Sequence, residues 1–157
     1  MSYTLKITQT MSNIILKPSF PPNPNPSVDA ESPETQTIIK SLSLIPHVEG
    51  GYFVETDRDP LLIPSPFPPN PASSFMPQRP GFDPAVRNAS TTIFYYLTPQ
   101  SPQGYFHRNR GRTVHTLHQG RGVYVLIHAD EPDLPGGGKR VETFVVGHDV
   151  AKGERPQ

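Results

Sequence analysis

Histidines are concentrated in one short stretch of the sequence. Four of the six fall within 22 residues: His107, His115, His118 and His128. The pattern around them predicts a β-hairpin over 103–117 that turns at Gly111. Its register places His107 opposite His115 on one face, with a cross-strand Cβ separation of roughly 5 Å. Two imidazoles so placed can bind a metal, exchange protons as acid and base, or hold a ligand. The alternative is a surface or core histidine with no chemical role.

Positive charge accompanies these histidines. From Pro84 to Ala129 the sequence contains no Asp or Glu but five arginines: Arg87, Arg108, Arg110, Arg112 and Arg121. Guanidinium groups pair well with phosphate and carboxylate, which favours an anionic small molecule such as a nucleotide-linked sugar. A solvated hairpin tip is the alternative explanation. Single-stranded RNA that stacks on Tyr105 and Phe106 is a third.

The sequence offers few ligands for a metal or a cofactor. A metal site needs a third ligand besides two imidazoles, and only Glu49 or Glu55 from an earlier segment could supply it. The absence of cysteine excludes disulfides, thiolate nucleophiles and thiolate zinc sites. Phosphate-binding glycine loops and nucleophile-elbow motifs are also absent from the sequence. We therefore predict no cofactor and assign no metal ligand, and leave a divalent metal held with the help of either glutamate as an open alternative.

Short β-strands separated by glycine turns position these residues. Strand-like segments run over 52–56, 90–98, 123–128 and 141–146. Their spacing of roughly ten residues is typical of an antiparallel sandwich or barrel, so the predicted fold class is all-β. One short amphipathic helix is predicted over 32–42, because Ser32 can cap it and Pro33 suits its first turn.

Proline divides the chain into segments. The sequence contains 21 prolines in 157 residues, with five in 18–26 and nine in 60–84. Each proline removes a backbone donor and restricts the residue before it, so neither cluster suits a helix or a central strand. We predict a disordered proline-rich tail over 1–31, one domain over 32–157, and a proline-rich inserted loop at about 60–86.

Charge and hydropathy limit the partners. The 14 basic and 14 acidic residues balance, so net charge provides no attraction toward nucleic acid or an anionic membrane. The longest apolar run is far shorter than the ~20 residues that a spanning helix needs. Residues 1–17 lack the pattern of an export signal. We predict a cytoplasmic protein with no nucleic-acid partner and no membrane partner.

Four blocks of this sequence resemble, in order, those of the cupin family catalogued as domain of unknown function 985. They read LIPHVEGGYFVET at 44–56, STTIFYYLT at 90–98, GYFHR at 104–108 and GHDVAKGE at 147–154. The resemblance covers roughly 33–157 and is closest to the fungal branch, in which a His-Thr-Leu-His-like segment follows the first histidine. It implies a double-stranded β-helix, that is, an RmlC-like jelly roll. Such cupins are commonly dimeric and hold a small-molecule pocket at the barrel mouth.

The sequence departs from the family pattern in two ways. Metal-binding cupins carry a His-x-His pair followed by Glu, whereas here His107 is followed by Arg108 and Asn109. Bacterial relatives carry Asp-Glu where this chain has Arg112-Thr113, so the resemblance argues against metal binding through that motif. Members also continue past the position of Gln157 with a tryptophan-containing strand, and this chain has no tryptophan. We therefore expect a C-terminally incomplete barrel whose sheet edges pair with a second copy.

The resemblance implies a cupin of unsettled activity that binds a small anionic or sugar-type molecule, with sugar epimerase or isomerase chemistry if it is an enzyme. His107 and His115 are the candidate catalytic residues, with His107 as the base. The candidate ligand-binding residues are Tyr52, Glu55, Tyr105, Arg108 and His118. RmlC-like epimerases use a histidine base with an orienting carboxylate and a tyrosine acid, and the sequence identifies neither partner. A non-catalytic ligand-binding cupin and a truncated, inactive product are the alternatives, and a metal oxygenase needs ligands that the motif lacks.

Overall fold

A computed structural model describes residues 20–21, 23, 25–66, 81–109 and 111–156 of the 157-residue chain. The predicted tail over 1–31 lies outside the described residues up to residue 19, and the predicted loop lies outside them at 67–80. The chain divides into two compact units, one ending at Arg108 and the other beginning at Asn109. Strands outnumber helices in the described ranges, so the all-β prediction is confirmed. None of the described helices has the length and apolar character that crossing a membrane requires.

The predicted helix forms near the start of the first unit. Helix α1 spans Pro33–Ser41 and follows a single 3-10 turn at Val28–Ala30. The hydroxyl oxygen of Ser32 accepts a hydrogen bond from the Thr35 backbone N–H at 3.2 Å, which satisfies one of the open donors of the first turn. This is the cap expected from the sequence.

Two antiparallel sheets complete the first unit. The larger has the order β1-β2-β5, from Ile45–Pro46, Tyr52–Arg58 and Thr91–Tyr96. Phe53 pairs with Tyr95, and the register shifts between Glu55 and Asp57. The smaller pairs β3, Leu62–Pro64, with β4, Val86–Asn88. Strand β3 lies inside the segment that we predicted as a loop, and its proline sits at the end of a two-stranded ladder, where a lost donor costs least.

A small core holds α1 against the larger sheet. Ile39 of the helix, Leu44 after it and Tyr52 of β2 are the buried apolar residues of this cluster. Removing these side chains from water stabilises the contact between helix and sheet. Because Tyr52 is the first residue of β2, this core also fixes the position of the turn that precedes the strand.

The second unit is built on one antiparallel pair. Strand β6, Gly122–Ile127, pairs along its whole length with β7, Val141–Val146, and both lie close to the strand segments predicted over 123–128 and 141–146. Several apolar side chains of this pair are exposed, among them Val123, Ile127 and Val141. A 3-10 turn at Val150–Lys152 follows β7 and is capped by Asp149.

The hairpin predicted over 103–117 is wrong. The structure assigns no strand to the described residues of that stretch, 103–109 and 111–117. Backbone groups there bond to other segments instead. The Tyr105 N–H donates to the Glu49 carbonyl at 2.6 Å, and the Leu117 N–H donates to the Pro156 carbonyl at 2.8 Å. The cross-strand pairing that would place His107 opposite His115 is therefore not formed.

Candidate functional site

The site of the first unit begins with the tight turn before β2. The His47 N–H donates to the Gly51 carbonyl at 2.9 Å, and the Gly50 N–H donates to the His47 carbonyl at 3.0 Å. Gly50 has φ +92° and Gly51 has φ +71°, a region that favours glycine. A Cβ added at Gly50 would overlap the carbonyl oxygen of Gln103. The two glycines therefore allow the 101–105 segment to lie directly against the turn.

This close approach brings a carboxylate beside a histidine. Nδ1 of His107 lies 3.1 Å from Oε2 of Glu49 and 2.9 Å from the carbonyl oxygen of Tyr105. The backbone of Glu49 bonds to Tyr105 as well, so the same two segments are joined through main chain and side chain. A carboxylate on one imidazole nitrogen is the arrangement that orients a histidine for general-base work at the other nitrogen.

A second histidine lies on the other side of the same carboxylate. Nδ1 of His47 accepts a hydrogen bond from the Glu49 backbone N–H at 3.1 Å and lies 4.0 Å from Glu49 Oε2. Its ring packs edge-on against Phe53, with centroids 4.6 Å apart, and against Tyr95, with centroids 5.8 Å apart. These contacts hold the His47 ring more firmly than a surface side chain.

Tyr95 completes the cluster from β5. Its hydroxyl donates to the Gly50 carbonyl at 2.8 Å. The partial loss of water around the phenol, and to a lesser extent the negative charge of Glu49, raise the pKa of Tyr95 to about 12. Tyr95 is therefore a neutral hydrogen-bond donor at ordinary pH and a weak acid.

A cavity of about 150 Å³ opens beside the turn. Its lining includes His47, Tyr52, Tyr105, Asn23 and Gln103. Glu49, between the lining residues Val48 and Gly50, and His107, two residues after Tyr105, adjoin the lining without being part of it. Lysine and arginine are absent from the described residues that line it. The volume is below the roughly 300–1,000 Å³ of pockets for drug-sized ligands, so the cavity suits a smaller polar molecule.

The structure distributes the residues predicted from sequence over both units. Tyr52 and Tyr105 line the cavity, Arg108 follows His107 along the chain, and Glu55 forms an ion pair with Arg58 on β2. His115 and His118 belong to the second unit, where Nδ1 of His115 contacts the hydroxyl of Tyr124.

The predicted arginine cluster is also divided between the units. Arg87 and Arg108 belong to the first unit, Arg112 and Arg121 to the second, and Arg110 lies outside the described residues. Nε of Arg121 donates to Glu154 at 2.6 Å, and this bond lowers the pKa of that carboxyl. Arg121 is therefore engaged by a carboxylate of its own unit.

Sequence reasoning missed His47 and Tyr95 and treated Glu49 only as a possible metal ligand. The available signal was the spacing in His47-Val48-Glu49 directly before two glycines, since a histidine and an acid two residues apart share one side of a tight turn.

In the described parts of the chain, no group of three or more His, Asp or Glu side chains could hold a metal ion.

Comparison with known proteins gives similarities of three kinds: a family model, a curated relative and solved structures. The family model described as "Cupin superfamily (DUF985)" matches residues 36–157. Over 151 residues the chain is 39% identical to an uncharacterized protein of Saccharomyces cerevisiae, covering 95% of this chain and 66% of the yeast protein. A solved structure titled "Hypothetical protein from Leishmania major" is 23% identical, with a TM-score of 0.48, and the match covers 77% of this chain and 61% of that one. The chain thus spans just under two thirds of the length of these relatives.

Proposed function

This chain belongs to the cupin superfamily, in the family DUF985, and from that premise we propose that it binds a small sugar-type molecule in the cavity beside β2 and moves a proton on it, with His107 as the base. One observation carries the proposal, namely the 3.1 Å separation between Nδ1 of His107 and Oε2 of Glu49. Glu49 is thereby the orienting carboxylate that a histidine base of this kind needs.

The proton transfer follows from ordinary acid–base chemistry. A C–H bond next to a carbonyl breaks, its electron pair passes into the enolate, and the proton moves to Nε2 of His107. Glu49 stabilises the resulting imidazolium through the Nδ1–H bond. Return of the proton to the same carbon gives an epimer. Return to the former carbonyl carbon gives an isomer when the hydroxyl proton of the first carbon passes to the former carbonyl oxygen, and either route restores the free base.

The cavity lining supports a sugar-type ligand. Amide groups at Asn23 and Gln103 can both donate to and accept from hydroxyls, and Tyr105, which is 63% exposed, offers an apolar ring face. The lack of lysine and arginine in the described lining favours a neutral molecule over a phosphorylated one, and the volume of about 150 Å³ favours a single sugar unit.

Deuterium exchange tests the proposal without knowledge of the natural substrate. The full chain is incubated with D-fructose in D₂O, and loss of the proton signals on the carbons next to the carbonyl is followed by NMR. We expect His107→Asn to slow this exchange by about 100-fold or more, the usual size of a general-base contribution. His148→Asn, which changes an exposed histidine of the second unit, is the matched control. Equal exchange in both variants would contradict a role for His107.

Binding without catalysis is the second candidate function, and Tyr95 is the observation that favours it. A pKa of about 12 makes Tyr95 a poor acid, and its hydroxyl is already used by the Gly50 carbonyl. In that case the sugar raises the unfolding temperature of the chain without any deuterium exchange, and His107→Asn changes only the affinity.

A further inference from the structure

The two histidines beside Glu49 carry their ring protons on different nitrogens. Nδ1 of His47 accepts from the Glu49 backbone N–H at 3.1 Å. A ring nitrogen that accepts a hydrogen bond carries no proton, so in the neutral imidazole the proton lies on Nε2. The 4.0 Å separation between Nδ1 of His47 and the Glu49 carboxylate is too long for a competing hydrogen bond.

His107 has the opposite arrangement. Its Nδ1 faces two oxygens, the Tyr105 carbonyl at 2.9 Å and the Glu49 carboxylate at 3.1 Å, and both can only accept. Nδ1 of His107 must therefore carry the proton, which leaves Nε2 as an acceptor. The same carboxylate oxygen, Oε2 of Glu49, thus lies near one histidine with Nε2–H and one histidine with a bare Nε2.

The surroundings of His47 keep its donor in a fixed direction. The ring lies nearly perpendicular to Phe53 and to Tyr95, at 87° and 83°, and the side chain is 21% exposed. Within the part of the chain that the structure describes, Nε2 of His47 has no hydrogen-bond partner. Because His47 also lines the cavity, a ligand oxygen is the natural acceptor for this donor.

We infer that His47 is the hydrogen-bond donor of the site and that it selects ligands with a carbonyl oxygen next to a hydroxyl-bearing carbon. Its neutral Nε2–H binds the carbonyl oxygen and polarises it, as neutral imidazoles do in other enzymes. Removal of the adjacent proton by Nε2 of His107, which adjoins the cavity lining without being part of it, is a separate step that rests on the function proposed above. The donor role of His47 stands on its own geometry, and the substrate class is a small hydroxyketone or hydroxyaldehyde.

Ring tautomers test the donor role directly. Long-range ¹H–¹⁵N spectra of the full chain, recorded above the ordinary histidine pKa, distinguish Nδ1–H from Nε2–H imidazoles. We expect Nε2–H for His47 and Nδ1–H for His107. Glu49→Ala removes the carboxylate but keeps the backbone N–H, so it should reduce the Nδ1–H preference of His107 and leave His47 unchanged. In the unaltered chain, an Nδ1–H tautomer at His47 overturns this inference, whereas an Nε2–H tautomer at His107 counts against the proposed base alone.

Ligand selection is tested with two small probes, dihydroxyacetone and glycerol, which differ by the carbonyl oxygen. His47→Phe keeps an aromatic ring against Phe53 and Tyr95 but removes the donor, and we expect it to weaken dihydroxyacetone binding by about 10-fold with glycerol unaffected. His47→Gln, whose amide nitrogen can take the place of Nε2, should restore most of the affinity. In the unaltered chain, the Nε2–H resonance of His47 should shift on addition of dihydroxyacetone. The inferred preference for carbonyl-bearing ligands is overturned if a folded His47→Phe variant binds dihydroxyacetone as the unaltered chain does. It is also overturned if dihydroxyacetone does not shift the Nε2–H resonance of His47 in the unaltered chain.

Discussion

At the residue scale, the site depends on direct contacts between residues that all belong to the first unit. Glu49 uses its N–H for His47, its carbonyl for Tyr105 and its side chain for His107. A single residue thereby sets the proton positions of two imidazoles. The carboxylate also acts on Tyr95, whose pKa it helps to raise. Removal of the Glu49 charge should therefore change both the tautomer of the His107 imidazole and the pKa of the Tyr95 phenol.

The titration of Tyr95 provides a prediction at this scale. The phenol should ionise near pH 12, above the usual tyrosine value of 10.0. Glu49→Gln should move that pKa downward, because one negative charge no longer opposes the phenolate. Ultraviolet absorbance of the phenolate measures the titration, and Tyr95→Phe identifies the step that belongs to Tyr95. A titration that is identical in the unaltered chain and the Gln variant would contradict the contact with Glu49.

The same pKa predicts a change of stability with pH. The folded pKa of Tyr95 lies above the unfolded value, so the unfolded chain loses this proton first as the pH rises. The contribution of Tyr95 to the free energy of unfolding is fully present below about pH 10 and is lost as the pH rises toward 12. Urea unfolding over this pH range should show that the free energy of unfolding falls less with pH in Tyr95→Phe than in the unaltered chain.

At the element scale, the turn before β2 determines whether the site exists. The turn combines two residues at positive φ with a contact too close for any side chain at Gly50. The Gly51 N–H adds a 2.7 Å hydrogen bond to the buried Ser101 hydroxyl. Sheet register, glycine turn and the 101–105 segment are therefore coupled, and a change in any one moves Glu49 relative to His107.

Gly50→Ala tests this coupling. The alanine Cβ is disfavoured at φ +92° and overlaps the Gln103 carbonyl, so we expect a loss of about 2–3 kcal/mol in the free energy of unfolding. Gly81→Ala is the matched control, because Gly81 has φ +74° and no residue that the structure describes lies within 4 Å of the added atom. Its loss should be limited to the backbone strain, near 1 kcal/mol. If both variants lose the same free energy of unfolding in urea, the overlap with the Gln103 carbonyl adds nothing to the cost of Gly50→Ala.

At the scale of the whole molecule, exposed strand edges are the feature with the clearest consequence. Strand β5 is one of the two outer strands of its sheet among the described strands, and Ile93 on it is 48% exposed. Unprotected edges pair with other chains unless charge or proline blocks them. We propose that the protein forms a homodimer through this edge, as expected from the sequence.

Light scattering coupled to size exclusion tests the dimer. The unaltered chain should elute with twice the mass of one chain, and Ile93→Lys should shift it toward the monomer because a charge on the edge opposes pairing. Leu62→Lys on β3, where the apolar side chain is also exposed, is the control and should leave the dimer intact. A monomeric unaltered chain, or equal shifts in both variants, would contradict pairing through β5.

Local patterns determined much of this protein from sequence alone. The cap at Ser32, the strand-like composition of β2, β5, β6 and β7, and the glycine pair each act within a few residues, so their signals can be read directly along the chain. Motif order predicted the cupin family over 33–157, and the match over 36–157 confirms it. The cytoplasmic location and the lack of a nucleic-acid partner stay predictions.

The site itself was decided by tertiary structure. Glu49 and His107 are far apart in sequence, and their contact depends on how the 101–105 segment lies against the turn, which no local pattern encodes. For the same reason the predicted hairpin over 103–117 was wrong, because backbone hydrogen bonds to distant residues replaced the local ladder. Sequence predicted His107 as a candidate base, and the fold places the Glu49 carboxylate beside it, since long-range contacts form only when separate elements pack together.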